Sequence, residues 1–113
     1  MLQLGVEHLV ATIPANTNGV IISMFATTDL DLHLRLADSQ LGQCLAGFGS
    51  ECANGGGSGP CPATFGLPPE RQSKCRTTTY DGMTVTFSGD DTTLPVQEVI
   101  QISSVTTQRV YFR

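Results

Sequence analysis

The sequence predicts an all-β chain: an antiparallel β-sandwich, jelly-roll-like, with a disulfide-pinned insertion rich in Gly and Pro and no substantial helix. Three observations carry this. Asp29-Leu30-Asp31-Leu32-His33-Leu34-Arg35-Leu36 alternates polar and apolar residues without a slip. That period of two lines the leucines along one face of a strand and would scatter them around a helix. Similar short runs recur along the chain between turn-forming clusters, the pattern of a sandwich or barrel. No segment carries the longer period of an amphipathic helix.

The elements follow in order. Leu2, Leu4 and Val6 fall on even positions, whereas Leu9, Ala11 and Ile13 fall on odd ones, with Val10 out of step. A slip of one residue inverts every side chain of a strand. Either a bulge near Glu7-His8 corrects the register, or two strands meet there and residues 1–7 form a strand exchanged with another chain. Pro14 to Gly19 is turn chemistry. In Gly19–Phe25, Val20, Ile22 and Met24 share one face, and Ile21 and Phe25 make the other partly apolar. In the 29–36 run, Asp29, Asp31, His33 and Arg35 form the face opposite the leucines.

Residues 49–75 break the alternation with Asn54-Gly55-Gly56-Gly57-Ser58-Gly59-Pro60 and Leu67-Pro68-Pro69. So long a loop in a small domain needs an anchor or a function, and it reads as a pinned surface insertion. Its glycines lack the Lys-Ser/Thr ending of a phosphate loop. Period two resumes in Tyr80–Ser88, with Met83, Val85 and Phe87 on one face. Ser88-Gly89-Asp90-Asp91 and Leu94-Pro95 read as turns. In Val96–Ser103, Ile100 and Ile102 share a face with Val96 and Glu98. Val110 and Phe112 alternate with Arg109, Tyr111 and Arg113. That last strand has no closing turn after it, so the reading leaves an unpaired edge, to be completed either by a continuation of a longer polypeptide or by the N-terminal strand of a neighbouring copy.

Composition bounds the function. The 113 residues hold 6 basic and 10 acidic side chains, a net charge of −4, with one lysine, Lys74. The length suits one domain, residues 1–113. An acidic balance argues against nucleic acid, which calls for clustered Lys and Arg. No apolar run approaches the roughly 20 residues of a membrane span.

Cys44, Cys52, Cys61 and Cys75 are spaced C-x7-C-x8-C-x13-C. Zinc sites bring cysteines in close pairs, and no such pair occurs, so two disulfides are expected. Of the three pairings four cysteines allow, the nested one, Cys44–Cys75 around Cys52–Cys61, ties the base and the tip of one loop. Disulfides point to an oxidising compartment, extracellular or at a cell surface.

Ala11-Thr12-Ile13-Pro14 through Gly19-Val20-Ile21-Ile22, followed by Asp29-Leu30-Asp31-Leu32-His33-Leu34, resembles the bacterial pre-peptidase C-terminal domain family. Val105–Phe112 fits that family's later aromatic strand. The resemblance covers about half of the chain. It implies a secreted jelly-roll-like module of the kind appended to proteases, some relatives of which bind calcium or polymers such as collagen. The cysteine insertion, the hairpin from Tyr80-Asp81-Gly82-Met83 to Ser88-Gly89-Asp90-Asp91, and the lack of a final strand depart from the family.

The candidate sites are few. Asp29, Asp31 and the turn pair Asp90 and Asp91 supply hard oxygen ligands suited to calcium, provided that strand end and turn meet; otherwise they belong to a solvated face. His33 and Asp31 share a strand face, but no G-x-S-x-G elbow presents a serine nucleophile, and no enzyme is expected. Glycan binding on a sheet face rests on Tyr80 and Tyr111 alone, since tryptophan is absent. Phe25, Phe87 and Phe112 read as core. The function expected is a non-catalytic extracellular subunit of a fibril or appendage, assembled head-to-tail with other copies of itself. Leu2, Leu4 and Val6 would be the donor side chains, and Val110 and Phe112 would line the acceptor groove. The alternative is a calcium- or glycan-binding accessory module of a secreted enzyme.

Overall fold

A computed structural model describes residues 8–14, 17, 19–36, 43–80, 82–103 and 108–112. Among these residues nine strands run β1 (His8–Ile13), β2 (Val20–Ala26), β3 (Leu32–Leu36), β4 (Cys44–Ala46), β5 (Cys52–Asn54), β6 (Arg76–Tyr80), β7 (Met83–Phe87), β8 (Val96–Ser103) and β9 (Gln108–Phe112). Short 3₁₀ turns at Ala63–Phe65 and Pro69–Arg71 interrupt the insertion. Among the described residues no helix is long and apolar enough to cross a membrane.

The strands form two sheets, ordered β1-β9-β3-β4-β5 and β2-β8-β7-β6, antiparallel except for the β4–β5 pair. Their apolar faces meet. Ile13, Leu32, Leu34, Leu45 and Ala46 from the first sheet pack on Met83, Val85, Phe87, Ile100 and Ile102 from the second. β3 lies against β8, β4 against β7 and β5 against β6, so β1 and β2 end up on the same side of the molecule. The alternations foresee these faces well. On β2, Val20, Ile22 and Met24 turn towards the core, opposite Ile102, Ile100 and Glu98 of β8.

Several expectations are corrected. The register slip falls at Val10, where Leu9 pairs with Tyr111 and Ala11 with Val110, inside β1 rather than at Glu7-His8. β9 is not an open edge. It lies between β1 and β3, so Val110 is paired with both Ala11 and Leu34, and Phe112 with both His8 and Leu32. The acceptor groove expected at Val110 and Phe112 is therefore filled by the chain's own β1. A strand read in isolation does not show which distant segment will lie beside it. The expected donor residues Leu2, Leu4 and Val6 lie outside the described residues. Phe25, expected in the core, is 69% exposed, because it has the parity of the outer face of β2. Tyr80 is half-buried against the core instead of standing out as a platform, and the side chain of Tyr111 lies outside the description.

His33 was read as part of a solvated face but is buried. The loop after β4 folds over it, and His33 Nε2 lies 2.8 Å from the carbonyl of Phe48. Gly47 permits this approach: a Cβ there would stand 2.3 Å from His33 Cδ2, at a backbone φ of +142°.

The insertion is structural rather than a protruding loop. Its first part becomes β5. Its second part places Phe65 and Leu67 with Val99 and Cys75 in a small second core on the outer face of β8. The disulfides are Cys44–Cys52 and Cys61–Cys75, not the nested pairs. Parallel pairing of β4 with β5 sets Cys44 directly beside Cys52, with Cα atoms 4.5 Å apart. A bridge between Gly59 and Cys75 brings Cys61 within 5.1 Å of Cys75. Both separations suit a disulfide. Peptide mapping without reduction should recover these two pairs. Replacing Cys61 and Cys75 together by alanine should cost about 2–4 kcal/mol in a denaturant titration.

Candidate metal centre

The most unusual residue inside the molecule is Glu98. It sits in the middle of β8 with the parity of Val96, Ile100 and Ile102, and it is fully buried. A buried carboxylate needs partners, and Glu98 finds them on both sides of the core. Oε1 accepts a hydrogen bond from the backbone N–H of Leu32 at 2.9 Å, and Oε2 accepts one from Asp91 N–H at 3.0 Å. The side chain thus ties the start of β3 to the loop joining β7 and β8.

Those bonds draw two further acids to the same place. Oxygen atoms of Asp31, Asp90 and Glu98 all lie within 4.8 Å of one another. Asp31 immediately precedes β3, and Asp90 lies in the loop before β8. Among the described residues, no hydrogen-bond donor reaches the buried Oδ1 of Asp90. Burial pushes the Glu98 carboxyl up to about 8 against the pull of its two backbone N–H partners. The charge of Asp31 and a shared hydrogen bond with Asp90 push the same way. At neutral pH, then, Glu98 holds a proton unless a cation takes its place.

The loop carrying Asp90 is held firmly. Asp91 caps it from within: Oδ1 accepts from Thr93 N–H, and Oδ2 from Gln97 N–H and from Arg71 Nη1 at 3.2 Å. Arg71 also donates to the carbonyls of Ser88, Gly89 and Gln97. Gly56 and Gly89 let the insertion approach this loop: a Cβ on Gly56 would stand 2.5 Å from the Cα of Gly89. An open cleft of about 310 Å³, lined by Gly57, Arg71, Lys74, Asp90 and Thr92 among others, gives Asp90 an approach from solvent.

Of the four expected ligands, Asp31 and Asp90 are brought together. Asp29 is exposed and outside the cluster. Asp91 is corrected to a structural role, its oxygens taken up by Arg71 and by its own loop. Glu98 was missed as a ligand, although its parity with Val96, Ile100 and Ile102 already marked an acid at an inward position. His33, Cys44 and Cys52 also lie close together, but the cysteines are joined as a disulfide, so their sulfurs are not thiolate ligands.

Comparison with family models, with curated proteins and with solved structures finds no match to this chain. The functional reading therefore rests on the site itself. Carboxylates this close together disfavour full ionisation of all three, and a shared proton or a bound cation relieves the repulsion. Oxygens bound to one calcium ion at about 2.4 Å lie no more than about 4.8 Å apart, a condition this cluster meets.

Proposed function

We propose that the chain is a calcium-binding, non-catalytic module of an extracellular protein, with Asp31, Asp90 and Glu98 supplying the ligands. The observation that carries the reading is the convergence of three carboxylates, Asp31 just before β3, Glu98 on β8 and Asp90 in the loop before β8, on one place, with the buried Oδ1 of Asp90 met by no N–H donor among the described residues. Calcium suits these ligands because it takes carboxylate oxygens in flexible geometry and high number. Its role is to join the two sheets where Glu98 already bridges them. The two disulfides support an oxidising setting, where millimolar calcium is available to sites of modest affinity. The resemblance to secreted pre-peptidase modules agrees with a role as an accessory domain of a larger enzyme.

Thermal unfolding tests the proposal. At pH 8, calcium about 100-fold above its Kd should raise Tm by about 10 °C. Glu98→Gln and Asp90→Asn should remove most of that gain, whereas Asp29→Asn should leave it unchanged. An unaltered Tm of the parent chain in millimolar calcium, together with no heat of binding in a titration, rejects the site.

A further inference from the structure

The two long sides of the molecule differ. On the side of β5 and β6, the chain covers its own edge. Asn54 Nδ2 donates to the carbonyl of Arg76, Gly57 N–H to that of Lys74, and Gly59 and Cys75 exchange backbone bonds. On the other side, β1 and β2 are terminal strands of their sheets among the described residues. β1 carries the bulge at Val10, a device that makes an edge a poor template. β2 carries none. It pairs with β8 in unbroken register over seven residues, Val20 to Ala26. It has no charge and no proline, in a chain of net charge −4. Ile21 and Phe25 on its outer face are 44% and 69% exposed.

The sequence of β2 is complementary to itself. If two copies of Val20-Ile21-Ile22-Ser23-Met24-Phe25-Ala26 run antiparallel with Ser23 on the two-fold axis, Ile21 of each meets Phe25 of the other. On the opposite face Ile22 meets Met24, and at the ends Val20 meets Ala26. Apolar and aromatic pairs directly across strands are stabilising, and this register makes them on both faces at once. A second copy is thus the occupant that this edge fits, and absence of charge along the strand spares two acidic chains from repulsion at the seam.

We infer that β2 is the interface of a symmetric homodimer, in which two four-stranded sheets join through antiparallel β2 strands centred on Ser23. This contact is isologous, so it closes at two copies and does not propagate. It is independent of the calcium reading, since Ser23, Ile21 and Phe25 lie outside the carboxylate cluster.

Sedimentation equilibrium of the full chain should show a monomer–dimer equilibrium. Ile21→Lys alone or Phe25→Glu alone should shift it to monomer, while the Tm measured at dilution, where the parent is also monomeric, is retained because both side chains are exposed. The double variant sets opposite charges against each other at both pairs and should restore the dimer. Ser23→Cys should form an intermolecular disulfide under mild oxidation, whereas Thr79→Cys on β6 should not. A chain that stays monomeric at every concentration, with no Ser23→Cys crosslink, overturns the inference. So does a dimer indifferent to charge at Ile21 and Phe25.

Discussion

Replacing Asn54 by alanine is expected to destabilise the protein by about 2–4 kcal/mol, a large effect for one polar side chain. Asn54 is fully buried at the end of β5. Its Nδ2 donates to the carbonyls of Arg76 and Val85 at 2.8 and 3.2 Å and lies 3.3 Å from Thr78 Oγ1. Its Oδ1 accepts from the N–H of Gly56 at 3.0 Å. One amide therefore joins the first sheet to β6 and β7 of the second and turns the chain into the glycine run. Alanine would leave the buried Val85 carbonyl without this donor and the Gly56 N–H without its acceptor. Asn54→Asp should be no better: the carboxylate keeps the acceptor but presents oxygen to two carbonyls. Urea titration measures both variants. A loss under 1 kcal/mol for Asn54→Ala would show that water or a small backbone shift substitutes for the amide.

The second large effect is on pH dependence and comes from Glu98. In a metal chelator, the folded chain keeps a proton on Glu98 up to about pH 8, while the unfolded chain releases it near the ordinary glutamate value of 4.5. The stability this group contributes is therefore full below pH 4.5 and drains away as pH rises through 8. The total loss should be on the order of 3–5 kcal/mol. Glu98→Gln should remove the slope between pH 5 and 8. The variant starts about 1–2 kcal/mol lower, since an amide can accept from only one of the Leu32 and Asp91 N–H groups through its oxygen. Calcium should offset the loss at high pH, because the cation takes the place of the departing proton and binds the carboxylate form. Denaturation midpoints from pH 5 to 9, with chelator and with calcium, provide the measurement. A parent chain as flat as Glu98→Gln would show that Glu98 is ionised throughout.

Part of this centre was legible in the sequence, and the reason it was only part is physical. Asp31 and Asp90 stood out as hard ligands at a strand end and a turn. Their meeting depends on β3 lying across the core from β8, a contact between residues 66 positions apart. Nothing in either local segment specifies it. Asp29 and Asp91 carried the same chemical signal as their neighbours, and only the surroundings separate them. Asp91 is claimed by Arg71 from the insertion, while Asp29 faces solvent. Glu98 had the clearest local sign, an acid at a core-facing position, yet that pattern also suits an edge strand whose face is wet. Asn54 read only as the start of the glycine run in a surface insertion, and its role arises from three backbone groups that lie on other strands or in the adjoining turn.

Periodicity by itself marked most of the longer strands and their leucine-, valine- and isoleucine-lined faces, and the number and spacing of the four cysteines pointed to disulfides. These are properties of a few consecutive residues: side chains alternate whatever the strand lies beside. The tertiary structure decided the rest: that β9 sits inside its sheet, that the cysteines pair with near neighbours, that the insertion builds a second core, and that three acids converge. Each of these depends on which distant segments close upon one another. That choice is made by the packing of the whole chain, where burial of one group is repaid by contacts from another far away in sequence.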